Sequence, residues 1–506
     1  MRFTDIRDHE LPTGRLTIWV PSDETMRQSD SAAIDSRRPS HNQHGHIAHA
    51  MARRVDPDLV GIVSDPTGEG GRSAATGWLG TRFDVPPTSA HGLRRSFETW
   101  MRRHETLCSG FRPSGTADGT AAFERFTLPP EDVHLEAIEL GHYDDPLALA
   151  DRLDDLFNAS TDAVCWPAFA FAAISSAKAT AVVLAFDHLN VDGYSILLMA
   201  AELREFIDAD REGRPPRLPA VPSYLDFVED EMDTAGAATE DHDAVQCWRQ
   251  FLGEEQQTPS FPLPDGLAPG SQVPQEATCT TILTEGEAAT FAAWCRVAGV
   301  STTAGFLGVL ALAFRRLDPT TQVSDERPFR ALVSTHTRHD DRWAEALGWF
   351  TAVAPFEVTL SGDGVPLDVL PHVDAAWSSA KLGAGLPMAR VGSLLGRPIE
   401  PRFVVSYLDA RHVRGAARWA DWNAGALIGD VGPTDQVYVW INRMPTETYL
   451  TWRFPGNDVC RDQVQAVNAT MSDIVHDIIA SLATTDAGVS VLSAAIRDLP
   501  SSDPAV

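Results

Sequence analysis

The sequence predicts an α/β (α+β) protein in two lobes, and three observations carry that expectation. Short apolar runs of strand length alternate with segments of helical periodicity, so sheet and helix are mixed along the chain. Near the middle, TPSFPLPDGLAPGSQVPQE has the prolines and glycines of a linker. The 506 residues also exceed one ordinary core, since about 150 residues make a typical domain. These features divide the chain into an N-terminal lobe over 1–252, a crossover over 253–276 and a C-terminal lobe over 277–506.

In chain order, the first clear helix is GLRRSFETWMRRHETL, where Leu93, Phe97, Trp100, Met101 and His104 recur on one face and the arginines on the other. Two apolar runs follow, CWPAFAFAAI and TAVVLAF, split by the polar SSAKA; Lys178 in that break argues for a hairpin rather than a membrane helix. YSILLMAAELREFIDA is rich in helix formers. The segment before it, AFDHLNVDGYS, is therefore a strand-to-helix loop. Beyond Pro215, Pro216, Pro219 and Pro222, AVQCWRQFL reads as helix. In the second lobe Thr284 and Glu287 form a capping box, Gly299 ends that helix, and TTAGFLGVLALAFRRL begins the next. RALVST, FTAVAPFEVTL, RFVVSYL, QVYVWINR and TYLTWRF read as strands, with helices at DVLPHVDAAWSSAKL and VCRDQVQAVNATMSDIVHDIIASLA and a frayed SSDPAV tail.

The formal charge of −29, from 41 Lys+Arg against 70 Asp+Glu, sets up a field that repels polyanions and excludes nucleic acid as a partner. Arg94, Arg95, Arg102 and Arg103 gather around one helix, either as a solvated face or as a patch for an acidic carrier or a phosphate. The 6 cysteines lie far apart with no C-x-x-C pair, which suits reduced thiols. No signal-peptide pattern opens the chain and no apolar run is long enough for a transmembrane segment, so a cytoplasmic protein is expected.

Several other constellations carry no chemistry. HNQHGHIAH, with His41, His44, His46 and His49, has metal-ligand residue types without Cys or carboxylate companions at zinc spacing, and reads as a polar loop; no metal is expected. DPTGEGGRS lacks the Gly-Lys-Ser/Thr ending of a phosphate loop, and no G-x-S-x-G elbow supplies a serine nucleophile. What remains is AFDHLNVDGYS, in which His188 and Asp192 stand four residues apart. On its own, a histidine in such a loop is more often structural than catalytic.

AFDHLNVDGYS resembles the HHxxxDG motif of the condensation-domain acyltransferase superfamily, which includes chloramphenicol acetyltransferase, peptide-synthetase condensation domains and the polyketide-associated (PapA-type) acyltransferases. The resemblance extends through RHETLCSGF, similar to the family's RHExLRxxF, then SYLDFVEDE and CWRQFL, then VSTHTRHDDRWAEALGWFTAVAPFEVTL. LPTGRLTIWVPS, VSYLDARHVRG and VYVWINR look most like the PapA-type subgroup.

The resemblance implies two chloramphenicol-acetyltransferase-like lobes forming a pseudodimer with a tunnel between them. It also implies an activity: moving an acyl or polyketide chain from a CoA or acyl carrier protein thioester to a hydroxyl of a small-molecule or glycolipid acceptor, with no other cofactor. His188 matches the catalytic histidine, and a neutral imidazole accepts a proton near pH 7. An unperturbed ring would titrate at about 6.5. Asp192 matches the structural aspartate that pairs with an arginine; the family's usual arginine is Cys108 here, leaving Arg112 and Arg338 as candidates. Asp187 replaces the first histidine, Gly193 is expected to allow close backbone approach, and Ser195, Trp349, Phe350 and Tyr407 are candidate tunnel walls, with core packing the alternative for Trp349 and Phe350. An amide-forming condensation enzyme and a non-catalytic carrier-binding relative are the competing readings. One chain suffices for one site, so a monomer is expected.

Overall fold

After Thr180 the run AVVLAF carries no polar side chain, and the strand Thr180–Phe186 is buried along its whole length. A continuous apolar run of this length belongs in a sheet interior. It pairs antiparallel with Leu79–Val85 on one side and Phe169–Ser175 on the other. The computed structural model describes residues 1–55, 77–117, 120–254, 256–268, 270–318, 328–360, 366–429 and 432–482. Within them this sheet has seven strands in the order Phe3–Thr4, Gly425–Ile428, Leu79–Val85, Thr180–Phe186, Phe169–Ser175, Gly14–Pro21 and Leu135–Tyr143. Helix Ala90–Arg103 buries Leu93, Phe97, Trp100 and Met101 as its periodicity requires. It packs on helix Gly193–Glu212, which follows the histidine loop.

A second sheet has six strands in the order Gln275–Thr284, Glu447–Pro455, Val437–Arg443, Phe403–Asp409, Pro328–His336 and Thr351–Thr359. Helices Glu285–Val297, Thr302–Leu317, Pro366–Gly383 and Asp458–Leu482 accompany it, and its core runs from Phe261 to Leu482. The capping box forms as its spacing requires: Thr284 Oγ1 accepts from Glu287 N, and Glu287 Oε2 accepts from Thr284 N at 2.8 Å. No single described helix is long and apolar enough to cross a membrane. Among the described residues only the consecutive pair Glu285–Val297 and Thr302–Leu317, bent by 101°, has the composition, and most of its apolar residues are buried.

The mixed α/β architecture agrees with the sequence, but the division of the chain does not follow a cut over 253–276. One compact unit comprises Met1–Ala238, His336–Thr351 and His412–Gly432; the other comprises Thr239–Thr335, Ala352–Arg411 and the chain from Pro433. The reason is that the chain returns twice. Gly425–Ile428 inserts into the seven-stranded sheet, parallel to Phe3–Thr4 and antiparallel to Leu79–Val85, and no local periodicity reports so distant a pairing. HNQHGHIAH is also not a loop: it opens helix His41–Val55. DPTGEGGRS and SSDPAV lie outside the described residues.

The returning strand is held closely. A Cβ at Gly425 would lie 2.3 Å from Cε1 of His9, whose Nε2 is 2.9 Å from Thr4 Oγ1. Gly425→Val should therefore push His9 and the first strand aside, at a cost of about 1–3 kcal/mol. Urea unfolding checks this: the midpoint should fall with an unchanged slope.

Candidate active site

Where the buried strand ends, Asp187 makes a turn. Its backbone N–H donates to Ala168 O at 2.9 Å, its Oδ1 accepts from Leu189 N at 2.7 Å, and its carbonyl accepts from Asn190 N at 3.2 Å. This is an Asx turn, in which a short carboxylate replaces a backbone acceptor. Asp192 then caps helix Gly193–Glu212, its Oδ1 accepting from Ser195 N at 2.8 Å. His188 is thus carried on a short loop pinned at both ends by aspartates.

Asp192 does more than cap. Arg338 Nη1 donates to its Oδ2 at 2.7 Å, and Phe350 N donates to the same oxygen at 3.1 Å. Both partners of this ion pair keep only 6% side-chain exposure. Ser195 Oγ lies 2.8 Å from Asp192 Oδ1 and accepts from Arg338 Nη2 at 3.0 Å. The guanidinium lies over the rings of Phe350 and Tyr194, at 4.0 and 5.0 Å from their centroids. Burial pushes the Asp192 carboxyl up, but the Arg338 charge and the hydrogen bonds from Arg338 and Ser195 outweigh it and hold the group below the ordinary carboxylate value.

Arg338 is therefore the partner that the sequence left open between two candidates. Arg112 instead donates to the carbonyls of Ser29 and Ala32 and lies over Phe126. Cys108, at the position of the family's arginine, is fully buried, its thiol pushed up by burial to about 12.

His188 itself makes no hydrogen bond through Nδ1, which is buried. Its ring lies on the indole of Trp349, with centroids 3.9 Å apart and planes at 35°. The residue keeps partial exposure, yet burial of the ring, helped by nearby His46 and opposed by its own carbonyl, Asp192 and Asp187, lowers its pKa to about 4. The imidazole is therefore neutral at pH 7, burial having moved its midpoint below the value of about 6.5 of an unperturbed ring.

The remaining candidates divide. Trp349 reaches His188. Phe350 is a core residue, fully buried against Tyr224, Phe227 and Trp343, so the packing alternative holds for it. Ser195 is buried and bonded to the ion pair rather than lining a cavity. Gly193 needs no close approach, because an added Cβ would meet only Phe3 at 3.7 Å. Tyr407 belongs to the other unit, its ring stacked on Phe306 at 5.6 Å. Two residues of the arginine patch pair with carboxylates of this chain, Arg95 with Asp210 at the surface and Arg103 with the buried Glu202. No group of His, Cys, Asp or Glu that could hold a metal is present among the described residues. Sequence reasoning missed His46, whose Nε2 is 2.8 Å from Asp187 Oδ1; it sits on the helix taken for a loop.

Removing one partner of a buried pair strands the other charge. Arg338→Met should cost about 3–5 kcal/mol, and Asp192→Asn should lower stability by the same mechanism. The pH dependence has a fixed sign. Asp192, lowered in the folded state, contributes stability above the ordinary carboxylate range that is lost as pH falls through its folded value. His188, at about 4 when folded against about 6.5 unfolded, removes stability as pH falls across that window, since only the unfolded chain takes up the proton. Urea titrations at stepped pH should show stability falling on acidification, with a shallower fall in His188→Ala.

Comparison with known proteins gives the family and the fold. The condensation-domain family model matches residues 87–395. Acyltransferase PapA3 of Mycobacterium tuberculosis is 26% identical over 480 residues, covering 92% of this chain and 94% of PapA3. Trehalose-2-sulfate acyltransferase PapA2 of the same organism is 26% identical over 486 residues, covering 93% and 96%. A solved structure described as PapA2 acyl transferase superposes with a TM-score of 0.80 at 23% identity, over 94% of this chain and 99% of that one, and shows the same fold. With the family model spanning more than half of its length, the chain belongs to the condensation-domain family, as an acyltransferase.

Proposed function

We propose that this acyltransferase moves an acyl or polyketide chain from a CoA or carrier-protein thioester to a hydroxyl of a small-molecule or glycolipid acceptor, with His188 as general base and no further cofactor. The observation that carries the reading is the state of His188: a neutral imidazole stacked on Trp349, in a loop fixed by the Asp192–Arg338 pair. A ring that is unprotonated at pH 7 can accept the acceptor's hydroxyl proton as the oxygen attacks the thioester carbonyl. When the tetrahedral adduct collapses, the C–S bond breaks and the imidazolium returns that proton to the departing thiolate. A sugar-like acceptor fits the name of PapA2, a trehalose-2-sulfate acyltransferase, and the lack of a membrane-length helix among the described residues is consistent with work in the cytoplasm.

The six cysteines include no activated nucleophile among those with a resolved shift: Cys108, Cys247, Cys295 and Cys460 all have thiols pushed up by burial. On this reading attack is direct, with both substrates bound together. Initial-rate plots should intersect, and intact mass spectrometry should find no acyl adduct when the acceptor is withheld. Parallel lines with a stable adduct would overturn the direct route.

His188→Ala should lower kcat by about 10²-fold or more, with circular dichroism unchanged. In the wild type, kcat/KM reports the free enzyme's base, so its loss on acidification should come well below the ordinary midpoint of about 6.5, towards the value of about 4. A midpoint at the ordinary value would mean that the working ring is solvated.

A further inference from the structure

Helix His41–Val55 lies against the motif loop through one face, on which Gln43, His46, Ile47 and Ala50 follow at helical spacing. Gln43 Nε2 donates to Leu189 O at 3.0 Å. Ile47 and Ala50 share a buried cluster with Leu189, Phe111, Ala163 and Val164. At its N-terminal end Asn42 Nδ2 donates to Thr351 O at 2.8 Å, two residues beyond Trp349. The helix is therefore fixed both to the loop that carries the candidate base and to the segment that stacks on it.

His46 sits between these anchors. Its Nε2 meets Oδ1 of Asp187, a carboxylate with 2% side-chain exposure, at 2.8 Å. The ring stands edge-on to Trp349, with centroids 5.6 Å apart and planes at 84°. Trp349 in turn carries His188 on its face. Asp187 occupies the place of the first histidine of HHxxxDG, so an imidazole lost from the motif is supplied here from another helix.

We propose that His46 is a positioning residue for the His188 base: gripped by Asp187, it braces the Trp349 indole on which the base lies. The inference rests on the reading of His188 as general base. Its electrostatic part has a definite sign. Among the groups acting on His188, His46 opposes a proton on the ring, while Asp192 and Asp187 favour one; Arg338 offsets Asp192 through their ion pair. Loss of His46 should therefore make His188 easier to protonate.

The test uses His46→Gln, which keeps a donor for Asp187 but has neither ring nor titratable charge, together with the exchanged pair His46→Asp with Asp187→His. Turnover of a thioester with an alcohol acceptor is measured alongside an NMR titration of the His188 ring, its signal assigned by loss in His188→Ala. His46→Gln should lower kcat by about 10- to 100-fold, the scale of a misplaced catalytic group, with a smaller change in KM, and should raise the His188 midpoint. The exchanged pair should recover turnover relative to Asp187→His alone. A lower melting temperature with kcat and the His188 midpoint unmoved would overturn the proposal, leaving His46 a packing residue. Undiminished turnover by His188→Ala would instead sink the base assignment on which it rests, so the two failures are told apart.

Discussion

The site depends on one buried charge pair. Asp192 and Arg338 are 146 residues apart in sequence, and their 2.7 Å contact fixes where the segment His336–Thr351 lies on the motif loop. Desolvating both charges is expensive, and a pair of this kind is weak as a source of net stability. It is tolerable here because the carboxylate accepts from Ser195 and Phe350 as well as from the guanidinium, which is itself faced by two aromatic rings. What the pair contributes is selection among arrangements. Any other docking of the segment would leave a buried carboxylate or a buried guanidinium without its partner, at a cost of several kcal/mol.

That selection matters because the segment carries Trp349. Phe350 N donates to Asp192 Oδ2, so the backbone next to the indole is tied to the same carboxylate that caps the helix after His188. Tyr224 OH donates to Trp349 O at 3.2 Å and fixes the other side of the residue. Stack and loop are thus referred to one oxygen pair, which holds the two backbones that present the imidazole and the indole to each other at 3.9 Å. The stack also bears on the chemistry. Burial disfavours charge on the resting ring, whereas an indole face attracts a cation. On the proposed reading of His188 as the base, a ring that is charged only while it holds the acceptor's proton gains from that face mainly in the transition state, where stabilisation raises the rate.

Much of this was legible in the sequence where local physics decides it. The hairpin, the helix with Leu93, Phe97, Trp100 and Met101 inward, and the Thr284–Glu287 cap all follow from periodicity or capping chemistry. So does the placing of His188 between strand and helix. What escaped was non-local. The pairing of Gly425–Ile428 with strands from the first hundred residues has no signature in either segment, and the choice of Arg338 over Arg112 depends on which loop returns to the motif. The helix His41–Val55 was misread for a different reason: its histidines and Gly45 are poor helix formers, and tertiary anchoring through Gln43, Ile47 and Ala50 outweighs them.

The departures from the family motif have the same explanation from the opposite side. A sequence pattern records which residue stands at a position, whereas the loop requires only that certain bonds be made. At position 187 the required bonds are an acceptor for Leu189 N and a link towards the helix that covers the loop. An aspartate meets the first directly and the second by binding an imidazole supplied from that helix. At position 108 the family's arginine is dispensable because Arg338 already satisfies Asp192, and a small thiol fills the buried space. No comparable exchange exists for Asp192, whose two oxygens answer to a helix N-terminus, a guanidinium and the Phe350 amide at once.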